Sequence, residues 1–117
     1  MEFSALERAV IEQILSQPVE GMDILREQFA AATVIDREYT GVGFYTTMSV
    51  PRSVRPAPQD ERLETALQQS TAGTVCSAPG HAVLFMLWLD GGYLSCLEGV
   101  TTDDHWPDER EITLSNL

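Results

Sequence analysis

Glu98 is a carboxylate that strand alternation places among apolar side chains, sharing parity with Leu94, Cys96 and Val100 in the run Tyr93-Leu94-Ser95-Cys96-Leu97-Glu98-Gly99-Val100. A carboxyl on the apolar side of a sheet stays neutral to higher pH because it has lost solvent, which suits it to general acid or base work. The competing reading ends the strand near Leu97 and leaves Glu98 solvated or paired with an arginine such as Arg37. A second group, Asp103-Asp104-His105 with Asp108 and Glu109, collects oxygen ligands and one imidazole. Its spacing fits neither an EF-hand loop nor a zinc motif, and Trp106-Pro107 interrupts it, so neither a metal nor another cofactor is expected. The same run suits an anionic loop in which Trp106, with Asp103 and Asp104, anchors a basic partner. The alternative is that Trp106 folds back on the sheet edge as core.

Other constellations are weaker. Gly41-Val42-Gly43 can bring backbone N–H groups to an anion, but no helix follows it and turn chemistry accounts for the glycines. There is no Gly-x-Ser-x-Gly elbow, and His81 and His105 have no local serine or cysteine to activate. Cys76 and Cys96 form no Cys-x-x-Cys pair and stand among small or apolar residues, as buried free thiols do.

The elements that must position these residues are organised around Ala82 to Leu89, eight apolar residues bounded by Pro79-Gly80 and Asp90-Gly91-Gly92. Such a run predicts a strand buried on both faces, and the glycines after it supply the turn of a hairpin into Tyr93 to Leu97. Upstream, Ser4-Ala5-Leu6-Glu7 has the form of a capping box opening a helix. Its inward stripe is Phe3, Leu6, Val10 and Ile14, with Glu7, Arg8, Glu12 and Gln13 on the other face. A second helix runs from about Glu20 to Ala32, with Met22, Leu25, Phe29 and Ala32 inward. Thr33 to Thr40 alternates as a strand, with Ile35 and Tyr39 on one side and Asp36 and Glu38 on the other, and Phe44 to Val50 resumes the pattern. Pro51 to Asp60, with three prolines, is an exposed loop. Leu63 to Gln69 reads as a strand or a turn of helix, Gly73 to Ser77 as a strand, and Glu111 to Leu114 as a short terminal strand. The expected fold is α+β: two N-terminal helices on one face of a mainly antiparallel sheet of about five strands, in a single domain over 1–117.

Eighteen acidic residues against seven basic ones give a net charge of −11, and every basic residue is an arginine. The arginines are scattered along the chain, so phosphate would be repelled and nucleic acid is not expected as a partner. A basic protein surface would be attracted. No apolar run approaches the roughly 20 residues of a spanning helix, and the N-terminal pattern is acidic and amphipathic, so a cytoplasmic protein without a membrane partner is expected.

Arg37-Glu38-Tyr39-Thr40-Gly41-Val42-Gly43-Phe44-Tyr45-Thr46 and Leu97-Glu98-Gly99-Val100-Thr101, followed by Trp106-Pro107, resemble a group of small uncharacterised bacterial proteins with R-E-Y-T-G-V-G-F and L-E-G…W-P signatures. The resemblance implies that Arg37, Glu38, Tyr39, Gly41, Gly43, Glu98, Gly99 and Trp106 form one arrangement, two neighbouring strands in which Arg37 and Glu98 pair and the glycines permit tight turns. Met86-Leu87-Trp88 is more apolar than that group leads one to expect, which points to an association surface. Three functions follow as expectations. The first is an acidic module that occupies a basic protein, as an immunity or antitoxin-like inhibitor does. The second is a hydrolase or isomerase using Glu98 with Arg37 or Tyr39 in a pocket between helices and sheet. The third is a self-associating protein that buries Trp88 in a homodimer.

Overall fold

The computed structural model describes residues 1–116; residue 117, the last of the single domain expected over 1–117, lies outside the described residues. The described residues form an α+β fold of three helices and one six-stranded antiparallel sheet of order β1-β2-β5-β4-β3-β6. Helix α1 (Ala5–Leu15) opens on the expected capping box: the Ser4 hydroxyl accepts the Glu7 N–H at 3.1 Å and the Glu7 carboxylate accepts the Ser4 N–H at 2.7 Å. Val10, Ile11, Ile14 and Leu15 are buried, and so is Glu7, which the spacing had assigned to the outer face. Helix α2 (Met22–Ala31) is entered through Gly21 at φ 95°, a left-handed conformation that favours glycine.

Strands β1 (Thr33–Tyr39) and β2 (Gly43–Ser49) form the first hairpin. Helix α3 (Glu61–Gln68) settles the segment that read either as strand or as helix. The Asp60 side chain accepts the Arg62 N–H at 2.8 Å as a cap, and Leu63, Ala66 and Leu67 recur at helical spacing on the buried side. Strands β3 (Thr71–Val75), β4 (Ala82–Asp90), β5 (Tyr93–Thr101) and β6 (Ile112–Asn116) complete the sheet. The sheet has six strands where about five were expected, and the expected terminal strand, β6, pairs along the full length of β3.

Within the described residues the helices lie on one side of the sheet, meeting Phe44, Met48, Val75, Val83, Phe85, Leu87, Leu94 and Leu97 in one core. Strand β4 is therefore buried on one face only. Val83, Phe85 and Leu87 are inside, whereas Leu84 and Trp88 remain 39% and 37% exposed, correcting the expectation of burial on both faces. No described helix is long and apolar enough to cross a membrane.

Two irregularities reset which way side chains point. In β1 the register shifts between Val34 and Asp36, so Ile35 is looped out and exposed, out of the alternation that had placed it on one side with Tyr39. In β5 Leu94 faces Leu89 while Cys96 faces Trp88, so Ser95 is the extra residue and parity inverts across it. Leu94 and Leu97 thus both point to the helices, and Cys96, Glu98 and Val100 point away. Gly43 and Gly99, expected at turns, lie inside strands: a Cβ on Gly43 would sit 1.9 Å from the Gly99 carbonyl oxygen, and one on Gly99 would sit 2.4 Å from the Phe44 ring. Gly41, at φ 89°, does serve the turn.

The proline-rich loop Pro51 to Asp60 is tied down by Gln28, a buried residue of α2. Its amide nitrogen donates to the Arg55 and Gly92 carbonyls, and its oxygen accepts the Leu94 N–H, all at 2.9 Å. Ala57 of the loop is buried and donates to the Gly92 carbonyl at 2.8 Å. Gln28→Leu keeps the volume but strands these backbone groups, and is expected to cost about 2–3 kcal/mol in denaturant unfolding, with faster amide exchange at Leu94. An unchanged midpoint would show that solvent replaces the side chain without cost.

Candidate binding surface

The residues singled out from sequence fall into three places. Arg37 and Tyr39 point to the helix side of β1, where Arg37 meets Glu7. The guanidinium bonds the carboxylate at two points, Nε to Oε2 at 2.7 Å and Nη2 to Oε1 at 2.6 Å, and also donates to the Glu2 carbonyl at 2.9 Å. The Thr46 hydroxyl of β2, directly across the ladder from Arg37, donates to the same carboxylate. Burial alone pushes the Glu7 carboxyl up. The hydrogen bonds from Arg37, Thr46 and the Ser4 N–H outweigh it and hold the group below its ordinary value of 4.5. The expected partner of Arg37 was Glu98. Strand alternation puts the two on opposite faces of the sheet, so neither that pair nor a pocket joining Glu98 to Arg37 or Tyr39 between helices and sheet is formed.

Asp103, Asp104 and Trp106 lie in the loop after β5. Trp106 is half-buried, edge-on to Phe44 at 5.2 Å and to Phe85 at 6.2 Å; its indole donates to Glu109 at 3.0 Å and its backbone N–H to the Gly41 carbonyl at 2.8 Å. Its ring is core, the second of the two readings, and it is not available as an exposed anchor. Asp103 contacts the His81 ring at 2.8 Å, and the Asp104 N–H, followed by that ring, holds its carboxyl below the usual range. Asp103, His81 and Trp106 border a shallow cleft of about 330 Å³ that also includes His105, Asp108 and Glu111. Among the described residues no three His, Cys, Asp or Glu side chains gather as a metal site would require.

Glu38 and Glu98 share the third place, the sheet face turned away from the helices. Register sets its side chains in rows across the strands. Asp36, Thr47, Cys96 and Trp88 form one row, Glu38, Tyr45, Glu98 and Met86 the next, and Gly43, Val100, Leu84 and Ala72 a third. Carboxylates therefore lie toward β1 and at the centre, and apolar side chains toward β4. Among the described strands the charged residues at outward positions are Asp36, Glu38, Asp90 and Glu98, and no arginine or histidine joins them. Arg52 sits beyond the end of β2 with its guanidinium 3.9 Å from the Tyr93 ring centroid. Glu98, half-buried, accepts the Trp88 indole N–H at 3.1 Å, and its charge is the main reason the Tyr45 phenol lies above its ordinary value. Burial, and then the Glu98 charge, push the Cys96 thiol up, which disfavours its thiolate form.

No family model, curated protein or solved structure matches this chain. The surface is thus read from its own chemistry. Two residues that carry the arrangement, Glu7 and Thr46, were not singled out from sequence. The i, i+3, i+4, i+7 spacing of Glu7, Val10, Ile11 and Ile14 is the signal that places Glu7 on the buried stripe.

Because the folded Glu7 carboxyl lies below the unfolded one, its stabilisation is complete above pH 4.5 and is lost as pH falls through the depressed folded value. Glu7→Gln leaves Arg37 without its counter-charge and is expected to cost about 3 kcal/mol at pH 7, a difference from wild type that shrinks on acidification. Glu7→Leu with Arg37→Met should recover most of the loss. A Glu7→Gln penalty that is equally large at pH 7 and pH 3 would remove the pair from this role.

Proposed function

We propose that this chain is a binding module for a basic partner protein, docked on the outward face of the sheet. The observation that carries this reading is that Leu84, Trp88 and Tyr45 are exposed, with Met86 half-buried among them, beside Asp36, Glu38 and Glu98 and with no cation from the described strands on that face. Large exposed apolar groups gathered on one face mark an interaction surface, whereas scattered ones do not. Charge then selects between occupants. A second copy packed face to face about a two-fold axis would bring the same carboxylates together, and like-charge juxtaposition is costly; a basic surface meets them with opposite sign. A net charge of −11 steers such a partner during encounter. An immunity or antitoxin-like inhibitor is the form of this activity that needs no chemistry of its own, since occupying a basic site is the function.

The test is capture from the native host at low salt, elution with a salt gradient, and purification of the captured protein. Binding is expected to weaken steeply with salt, to fail with Met86→Arg, and to survive Arg62→Ala on α3. The purified partner should protect β4 and β5 amides from exchange. Capture that survives Met86→Arg, or a concentration-dependent homodimer of the chain alone abolished by Met86→Arg, overturns the reading, the latter assigning the face to a second copy.

A further inference from the structure

Docking on the outward face, the reading on which the inference rests, fixes one detail of the partner. Glu98 sits at the middle of that face, with Met86 and Tyr45 directly across the ladder on either side and Cys96 and Val100 along its own strand. Any protein that covers the apolar half of this face takes Glu98 out of water. A carboxylate desolvated without a counter-charge costs several kcal/mol, and the strands offer none on this side, because Arg37 is spent on Glu7 across the sheet. The partner must bring the cation.

The surroundings select its type. One Glu98 oxygen accepts the Trp88 indole, and the carboxylate keeps acceptor capacity for a two-point bond. Trp88 and Tyr45, 37% and 41% exposed, leave aromatic surface on both sides of the carboxylate. A planar guanidinium bonds a carboxylate bidentately while stacking on an aromatic ring, and it is more weakly hydrated than an ammonium. Elsewhere this chain uses both contacts: Arg37 bonds Glu7 at two points, and Arg52 stacks on Tyr93. We propose that Glu98, flanked by Trp88 and Tyr45, receives an arginine side chain of the docked partner.

The experiment titrates the full chain with three acetylated, amidated tripeptides, Gly-Arg-Gly, Gly-Lys-Gly and Gly-citrulline-Gly, following the Trp88 indole N–H by NMR. The arginine peptide should shift that resonance saturably, and Glu98→Gln should weaken its binding about fivefold or more, as expected for loss of a charge pair with stacking. The lysine peptide should bind more weakly, and the neutral citrulline peptide should not saturate. Trp88→Phe, which keeps a ring and frees a carboxylate oxygen, should retain arginine binding, followed in that variant by the backbone amides of Tyr45 and Glu98. No saturable shift, equal binding of arginine and citrulline peptides, or indifference to Glu98→Gln overturns the proposal. The two readings fail separately: a purified partner that protects β4 and β5 and binds Glu98→Gln as tightly as wild type refutes the arginine site and leaves the docking surface standing.

Discussion

The bond between Glu7 and Arg37 decides more of this molecule than its size suggests. It joins the first turn of α1 to β1, and through Thr46 to β2, at the β1 edge of the sheet. Toward β3 and β4 the helices are held by Leu63, Leu67, Phe85 and Leu87, all essentially without solvent exposure. Toward the β1 edge, Tyr39 is 59% exposed and cannot hold a helix by burial alone. A bidentate, charge-assisted bond that also receives a hydroxyl and a backbone N–H supplies direction where the apolar surface is small. Every buried polar side-chain atom among the described residues has a hydrogen-bond partner, so the carboxylate is buried at a cost that its donors offset.

The same bond sets the electrostatics of the opposite face. Arg37 is the one arginine within the described strands, and it lies on the helix side. The outward face therefore keeps Asp36, Glu38 and Glu98 without a strand cation beside them, while Arg52 shares the cleft of Asp90 and Tyr93 at the far end. An ion pair that anchors a helix and an outward face without a strand cation are consequences of one choice of strand parity.

That parity was only partly legible in the sequence. Features with a short-range physical cause could be read directly: the capping box at Ser4, the Asp90-Gly91-Gly92 turn, the two N-terminal helices and the antiparallel sheet they cover. Features that depend on counting along a strand could not, because a single looped-out residue inverts everything beyond it. Ile35 and Ser95 are two such residues, and neither has a type that announces a bulge. The first takes Ile35 out of the alternation with Tyr39, and the second moves Glu98 to the far face. Glu7 was misplaced for a different reason. Its membership of the capping box explained its presence at the surface end of a helix, while its position on the buried stripe needed Arg37, thirty residues away, to make sense. Gln28 likewise has partners only in three dimensions.

The apolar run of β4 is where sequence and structure together say most. Continuous apolarity is the pattern of a strand covered on two sides, and here three helices cover one. The helix-facing residues Val83, Phe85 and Leu87 have their explanation in the core. Leu84, Met86 and Trp88 have none there, and polar residues at those positions would serve the monomer at least as well. In the reading proposed above, a docked partner accounts for these apolar side chains. Under that proposal the carboxylates beside these residues narrow the partner, since a neutral or acidic surface would bury Glu98 unpaired, whereas a basic one would make the charge in the middle of the face contribute to recognition.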